Sequence, residues 1–196
     1  MQIVMATQNK GKLAELNKLV SEFGIDILSM ADVNLADLEI EENGSSCQEN
    51  SFIKAETVMK LTGLPVVADD AGLFVEALGG APGIYSARYA GEHGDDAANR
   101  AKLLAELARV GADTKEKRKA YFLCVITLVY PDGRKQVCEG YCHGSIGFSE
   151  VGTQGFGYDS VFIPDGYEES FAQLGVDVKN KFSHRAKALQ ELRSRL

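Results

Sequence analysis
The chain alternates between short unbroken apolar runs and stretches whose apolar residues return every three or four positions, the signatures of buried strands and of amphipathic helices. QIVMA at 2–6 reads as a buried strand, residues 10 to about 23 as a helix with Leu13, Leu16, Val20 and Phe23 on one face, and IDILS at 25–29 as a second strand. This strand–helix–strand opening favours an α/β sheet. Ser46 and Glu49 have capping-box spacing for a helix that runs to about Thr62 and stops at Gly63, with Phe52, Ala55, Val58 and Met59 as its buried side. PVVAD at 65–69 follows as a strand. A glycine-rich loop, GGAPGIYSARYAG at 79–91, precedes a helix that starts near Asp95 or Asp96 and carries Ala101, Leu104, Ala105 and Ala108. The longest extended run, KAYFLCVITLVY at 119–130, is joined through Pro131, Asp132 and Gly133 to RKQVCEGYCHGSIGF as a hairpin. A second glycine-rich loop, a short strand SVFIP and a terminal helix from about His184 complete the pattern, and the sheet it predicts is mixed rather than purely parallel.

At 196 residues and 21.2 kDa the chain has the size of one domain, residues 1–196, with room for two lobes around a cleft. Its 45% hydrophobic and 25% charged residues, without a repeat or a long apolar run, exclude disorder and a membrane span. The apolar stretch at the N-terminus is too short for a secretory signal, which places the protein in the cytoplasm. Cys47, Cys124, Cys138 and Cys142 fit that compartment as reduced thiols; Cys138, Cys142 and His143 lack zinc-site spacing and read as packing residues. A net charge of -7 and a pI near 5.1 argue against binding a nucleic-acid polymer, so any anionic ligand must meet local positive charge.

Candidate chemistry begins where Val66, Val67 and Ala68 deliver two adjacent carboxylates, Asp69 and Asp70, to a strand end marked by Gly72. Desolvating unpaired carboxylates is costly, so a cation is expected there. Mg²⁺ with one or two carboxylates, water and phosphate is one answer, and a solvated Asx-type turn is the other. Asn9, Lys10, Gly11 and Lys12 put two lysines and a glycine into a helix first turn, where the dipole prefers acids. An anion on free backbone N–H groups, with Thr7 and Asn9 at the same mouth, accounts for this, as does a plain Asn9 cap with solvated lysines. Walker A spacing is absent. Glu39, Glu41 and Glu42 crowd a strand-like LEIEENG at 38–44, and one of them could complete an oxygen-rich metal site. GTQGFGYD at 152–159 reads either as a platform for a flat base, with Phe156 exposed, or as a bend returning Phe156 to the core. In KNKFSHR, Ser183 can cap the terminal helix and gathers His184 and Arg185, with Lys179 and Lys181 upstream, at its positive end.

TxNxxK (Thr7, Asn9, Lys12), ADDAGL (68–73), GGAPGIYSARYAG, GTQGFGYD and SHR (183–185) occur together in one order and spacing. On these motifs the chain resembles, over essentially its whole length, the inosine/xanthosine triphosphate pyrophosphatase family, the RdgB-like house-cleaning enzymes. The resemblance implies a two-lobed α/β fold with a mixed β-sheet, flanking helices and a central nucleotide-binding cleft, usually in a homodimer. It also implies Mg²⁺-dependent hydrolysis of purine nucleoside triphosphates such as ITP, dITP and XTP to monophosphate and pyrophosphate. Carried over motif by motif, Thr7, Gln8, Asn9, Lys10, Gly11 and Lys12 would hold the triphosphate, with Ala71 beside it. Glu42 and Asp70 would hold Mg²⁺, and Asp70 would also activate water. Phe156, Gly157, Tyr158 and Asp159 would embrace base and sugar, while Lys179, His184 and Arg185 would face the base.

The chain departs from the family pattern at Ala71, where serine is common and a phosphate-side hydroxyl is lost, and at Gln154, where glycine is common. Base selection is consistent with donor arithmetic, because inosine and xanthosine carry a 6-oxo acceptor where adenine carries an amino donor, and Lys and Arg only donate. Two alternatives accompany this reading. One is a pyrophosphatase for another modified nucleotide; the other is a catalytically silent nucleotide-binding protein, towards which Ala71 points.

Overall fold
The computed structural model describes residues 1–20 and 23–195, without the side chains of Lys10, Glu15, Lys18 and Leu19. The chain divides into two compact units. Unit 1 comprises residues 1–70, 124–140 and 187–196; unit 2 comprises residues 71–123 and 141–186.

In unit 1, strand β1 (Gln2–Met5) pairs in parallel with β2 (Asp26–Leu28) and with β3 (Val66–Val75). Ile3, Val4 and Met5 are all buried, as a parallel strand flanked on both sides requires. Helix α1 (Lys10–Val20) lies between β1 and β2 in the chain and buries Leu16 and Val20. The apolar spacing predicts a helix to about residue 23; residues 21 and 22 lie outside the described residues, and Phe23 is exposed. Residues 38–44 correct an expectation, since they form no strand; Leu38 and Ile40 instead pack as a loop against the core of Val4, Ala55, Val58 and Val66.

Helix α2 (Cys47–Thr62) has Ser46 as its N-cap, with the Glu49 N–H donating to Ser46 Oγ at 3.1 Å, and Gly63 closes it in the left-handed conformation. The reciprocal half of the expected capping box is replaced, because the Glu49 carboxylate accepts from Ser45 N at 2.6 Å and Ser45 Oγ at 2.8 Å. Ala55 and Val58 are buried as expected, while Phe52 and Met59 are only half-buried against the same core.

β3 does not stop at the two aspartates. It runs on to Val75, and its second half pairs antiparallel with β4 (Pro82–Gly83) within unit 2 through Leu73↔Gly83 and Phe74↔Pro82. Gly72 is therefore a strand residue rather than a turn. A Cβ there would meet the carbonyl of Gly83, so the missing side chain is what admits the neighbouring backbone.

Unit 2 also contains α3 (Asp96–Arg109), capped by Asp95 Oδ1 accepting from Ala98 N at 2.9 Å. Its buried stripe is Asn99, Leu103 and Leu107; Ala101, Ala105 and Ala108 face outward and Leu104 is half-buried. The register follows leucine rather than alanine, because each leucine removes more apolar area from water. The hairpin appears where the alternation puts it, as β5 (Lys119–Val129) and β6 (Lys135–Ile146), with Tyr130 N donating to Arg134 O at 2.9 Å. β6 pairs antiparallel with β7 (Phe162–Pro164), and the hydrogen-bonded strand order is β2-β1-β3-β5-β6-β7, with β4 on β3. Mixed pairing is thus observed. Helices α4 (Phe171–Leu174), α5 (Val176–Phe182) and α6 (His184–Arg195) finish the chain. All four cysteines are buried and form no disulfide, and among the described residues no helix is long and apolar enough to cross a membrane.

Gly72→Ala is expected to destabilise the protein by about 2 kcal/mol or more, since backbone on both sides must move apart. Urea unfolding of the variant checks this; an unchanged midpoint would mean that β4 yields at no cost.

Candidate active site
Parallel pairing of β1 with β3 sets the site in unit 1. Ala6 N donates to Val67 O at 2.9 Å, so the turn from β1 into α1 opens beside the strand that carries Asp69. From the first turn of α1, Lys12 Nζ reaches Asp69 Oδ2 at 2.8 Å, and the Asp69 side chain is only 5% exposed. Lys54, two turns into α2, places Nζ 3.0 Å from Glu42 Oε2 and 3.5 Å from Asp70 Oδ1. Two ammonium groups therefore face three carboxylates.

Their titration follows from this packing. Burial raises the pKa of Asp70, Lys54 opposes it, and the nearby charges of Glu42 and Asp69 add to the rise, while a hydrogen bond from the Cys47 thiol lowers it. For Lys54, burial works against the ammonium, yet Asp70, Asp69 and Glu42 outweigh it and hold the group above its ordinary value. Burial and the facing Asp70 push the Cys47 thiol up, which keeps it a protonated donor. Asp70 Oδ2 remains buried with no hydrogen-bond partner.

Unit 2 holds a second set. Phe156 is 66% exposed on the loop before β7. Asp159, almost fully buried, accepts from Phe156 N at 3.1 Å and from Lys179 Nζ at 2.7 and 2.9 Å. Lys179 Nζ in turn lies 4.7 Å from the centroid of the Phe156 ring, a cation–π distance. Gly155 is required here because a Cβ on it would meet the Asp159 carboxylate. Ser183 Oγ accepts from Ala186 N at 3.2 Å and so caps α6, which begins with His184.

Residues 3–195 match the Ham1 family. The chain belongs to that family. It is 48% identical over 197 positions to a dITP/XTP pyrophosphatase of Haemophilus influenzae, covering 100% of this chain and 98% of that protein. Among solved structures, a HAM1 protein from Coxiella burnetii aligns with a TM-score of 0.92 at 38% identity, covering 99% of this chain and 97% of that one. A nucleoside-triphosphatase / dITP/XTP pyrophosphatase from Mycobacterium abscessus aligns with a TM-score of 0.83 at 45% identity, covering 98% of each chain. The resemblance read from the motifs is borne out, and the mixed α/β fold is the fold of the Ham1 structures.

On this Ham1-family frame the expected site residues fall into groups. Glu42, Asp70 and Lys12 gather with Lys54 in unit 1. Asn9 caps α1, but it also consumes the backbone donors that were expected to face an anion: Gly11 N and Lys12 N donate to Asn9 Oδ1 at 2.9 and 3.2 Å. Thr7 Oγ1 accepts from Asn9 N, and the Gln8 amide donates to Ala36 O at 2.9 Å. The Lys10 side chain lies outside the described residues. Ala71 sits half-buried within β3.

In unit 2 the Tyr158 side chain corrects the expectation of base contact, because it is buried and its hydroxyl donates to Ser86 O at 2.8 Å. Gly157 offers backbone only. His184 is buried and stacked on Phe122 at 4.6 Å between centroids, and Arg185 beside it is half-buried. Phe156 does not return to the core.

Lys54 and Cys47 were missed in the sequence. The signal for Lys54 was present: it falls in register with the buried stripe Cys47, Asn50, Ser51, Ala55 and Val58, where a lysine needs a buried partner. The cation that Asp69 and Asp70 demand is thus supplied within the chain.

Among the described residues no three His, Cys, Asp or Glu side chains form a self-sufficient metal site. A hard cation still fits, because Asp70 keeps a buried, unpartnered oxygen and Glu42 shares its lysine. Two carboxylates completed by water and phosphate are what Mg²⁺ takes.

Asp70 carries a raised pKa in the folded state, so its contribution favours folding below the unfolded value and is lost as pH rises through the folded one. A negative charge on Asp70 therefore costs stability relative to the neutral group. Asp70→Asn is expected to raise the thermal midpoint of the metal-free protein by about 2–4 °C, the equivalent of about 1 kcal/mol, whereas Lys54→Met lowers it by leaving buried carboxylates uncompensated. Calorimetric scans of both variants check this; a fall in both would mean that Asp70 is held mainly by its ion pair.

Proposed function
We propose that the chain hydrolyses non-standard purine nucleoside triphosphates, ITP, dITP and XTP, to the monophosphate and pyrophosphate, and so clears them from the nucleotide pool. The observation that carries the reading is the buried Asp70, held between Lys54, Glu42 and Cys47 with one oxygen left over, in a chain of this family. Stability alone would not select such a carboxylate.

Asp70 takes a proton from water as the water oxygen attacks the α-phosphorus. The α–β anhydride bond breaks, and its bridging oxygen leaves with pyrophosphate. Lys12 and Lys54 transfer their charge from carboxylates to phosphate oxygens, which offsets the negative charge that builds during displacement. Glu42 and Asp70 are the residues that would hold Mg²⁺, whose chemistry is to neutralise the phosphates and polarise their oxygens. The Asn9 turn, with Thr7, Gln8, Lys10 and Gly11, shapes the phosphate side. Ala71 supplies no hydroxyl there, a loss of one hydrogen bond to a charged group that water can replace.

Phe156 stacks on the base, which tolerates any purine, and obligate donors select for a 6-oxo acceptor. Lys179 and Arg185 are those donors, and His184 supports them from the core. Lys179 retains one of its three donors beyond the two given to Asp159. The working form on this reading is a cytoplasmic homodimer, so light scattering is expected to give about twice the 21.2 kDa chain mass, and a monomer mass would contradict it.

Pyrophosphate release from ITP, XTP, ATP and GTP with Mg²⁺ tests the function. ITP and XTP are expected to turn over with kcat/KM at least about tenfold above ATP, and Asp70→Asn to lower kcat by roughly 10²–10⁴. Turnover confined to a modified pyrimidine, or none with any nucleotide, would overturn the reading, as would wild-type rates in Asp70→Asn.

A further inference from the structure
Phe156 presents an aromatic ring to solvent from a loop of three glycines, a backbone that should wander. It is nevertheless tied on both sides. Asp96 accepts from Gly157 N at 2.7 Å, and Arg100 Nη1 donates to Gly157 O at 2.8 Å. These side chains stand four residues apart on the first turns of α3 and so share one helix face. Arg100 is fixed in turn, since its Nε donates to Glu150 Oε2 at 2.7 Å, and the same oxygen accepts from Ser160 Oγ at 3.1 Å. The Asp159 carboxylate accepts from Phe156 N and Asp159 N donates to Phe156 O at 3.2 Å, so both main-chain polar groups of Phe156 are engaged as well as those of Gly157.

None of the enzyme chemistry assigned above uses Asp96, Arg100 or Glu150. Asp96 and Arg100 both bond to the main chain of Gly157, which water could have satisfied on a loop, and Glu150 braces Arg100. What they add is rigidity. Holding an aromatic platform in place before a base arrives removes the ordering cost from binding, and that gain appears in KM rather than in the chemical step.

We infer that Asp96 and Arg100 are positioning residues that clamp Gly157 and so hold the Phe156 ring ready to stack on the purine base. The inference rests on the reading of Phe156 as the base platform. Arg100 acts through a charge-assisted bond to the carbonyl, and Asp96 through one to the N–H, so each holds an end of the same residue.

The chain has no tryptophan, so Phe156→Trp creates a unique fluorescent reporter of loop motion. Time-resolved anisotropy in that background is expected to show little fast local motion, and adding Arg100→Ala or Asp96→Ala is expected to introduce a fast component. In the otherwise native chain, Arg100→Ala and Asp96→Ala raise KM for ITP about tenfold, with kcat changed less than about threefold. Inhibition by inorganic pyrophosphate, which has no base, stays as in the wild type. Asp96→Asn keeps an acceptor and restores most of the affinity.

Unchanged anisotropy in both alanine variants overturns the clamp. So does a mobile loop with KM within twofold of wild type, or an equal loss of pyrophosphate inhibition, which would signal general damage. Should Asp96→Ala not fold, Arg100→Ala decides alone. Absence of ITP turnover in the wild type would instead strike the functional reading, and the anisotropy result would still decide whether Gly157 is clamped.

Discussion
Three carboxylates and two ammonium groups that cannot be solvated separately govern unit 1. Asp69 and Asp70 are delivered by a strand whose preceding residues Val66, Val67 and Ala68 are fully buried, so their charges enter low dielectric as a consequence of the fold itself. Lys12 and Lys54 answer them from two different helices. That requirement explains features that local rules disfavour: a lysine in the first turn of α1 opposes the helix dipole, and a lysine lies in the buried stripe of α2. It also explains why Glu42 sits on an irregular segment, since a loop can be laid across the core to bring one carboxylate to Lys54.

Such a cluster is suited to phosphate chemistry because its three carboxylates and two ammonium groups can exchange partners. Each lysine already points at a carboxylate, so on the proposed function triphosphate oxygens would take over ammonium groups that are already in place, and the carboxylates relieved of Lys54 would be free to hold Mg²⁺ against the added negative charge. Unit 2 serves the other need, rigidity: the ring pair His184–Phe122 and the Tyr158–Ser86 hydrogen bond anchor motif residues in the core. The exposed members of the same motifs, above all Phe156, then stand on a braced support.

Periodicity made much of this legible. β1, α2, the β5–β6 hairpin and α6 lie where apolar spacing and caps put them, because in each case local propensity and core contacts agree. It failed where tertiary packing chose between local options. The aspartates read as a strand end because charges and a glycine usually mark one, yet Gly72 is there to admit β4. Residues 38–44 alternate like a strand but have no strand partner. The stripe of α3 was read one position away, on alanines that carry less apolar area. Charge in disfavoured places singled out Asp69, Asp70, Lys12 and the glutamates of 38–44, and the motifs narrowed these to Asp70, Glu42 and Lys12, but the pairing of Lys54 with Glu42 and Asp70 was not read, since spacing along a chain does not say which lysine folds back onto which carboxylate.

On the proposed function, Lys54 pairs with the two carboxylates, Glu42 and Asp70, that would hold Mg²⁺, and it would turn to phosphate when substrate binds. Calorimetric titration of Mg²⁺ into the protein, alone and with a non-hydrolysable ITP analogue bound, tests this most directly. If Lys54 competes with the ion, Mg²⁺ binds the free protein weakly and at least about tenfold more tightly in the presence of the analogue, and Lys54→Met narrows that difference. Equal Mg²⁺ affinity with and without the analogue would contradict it.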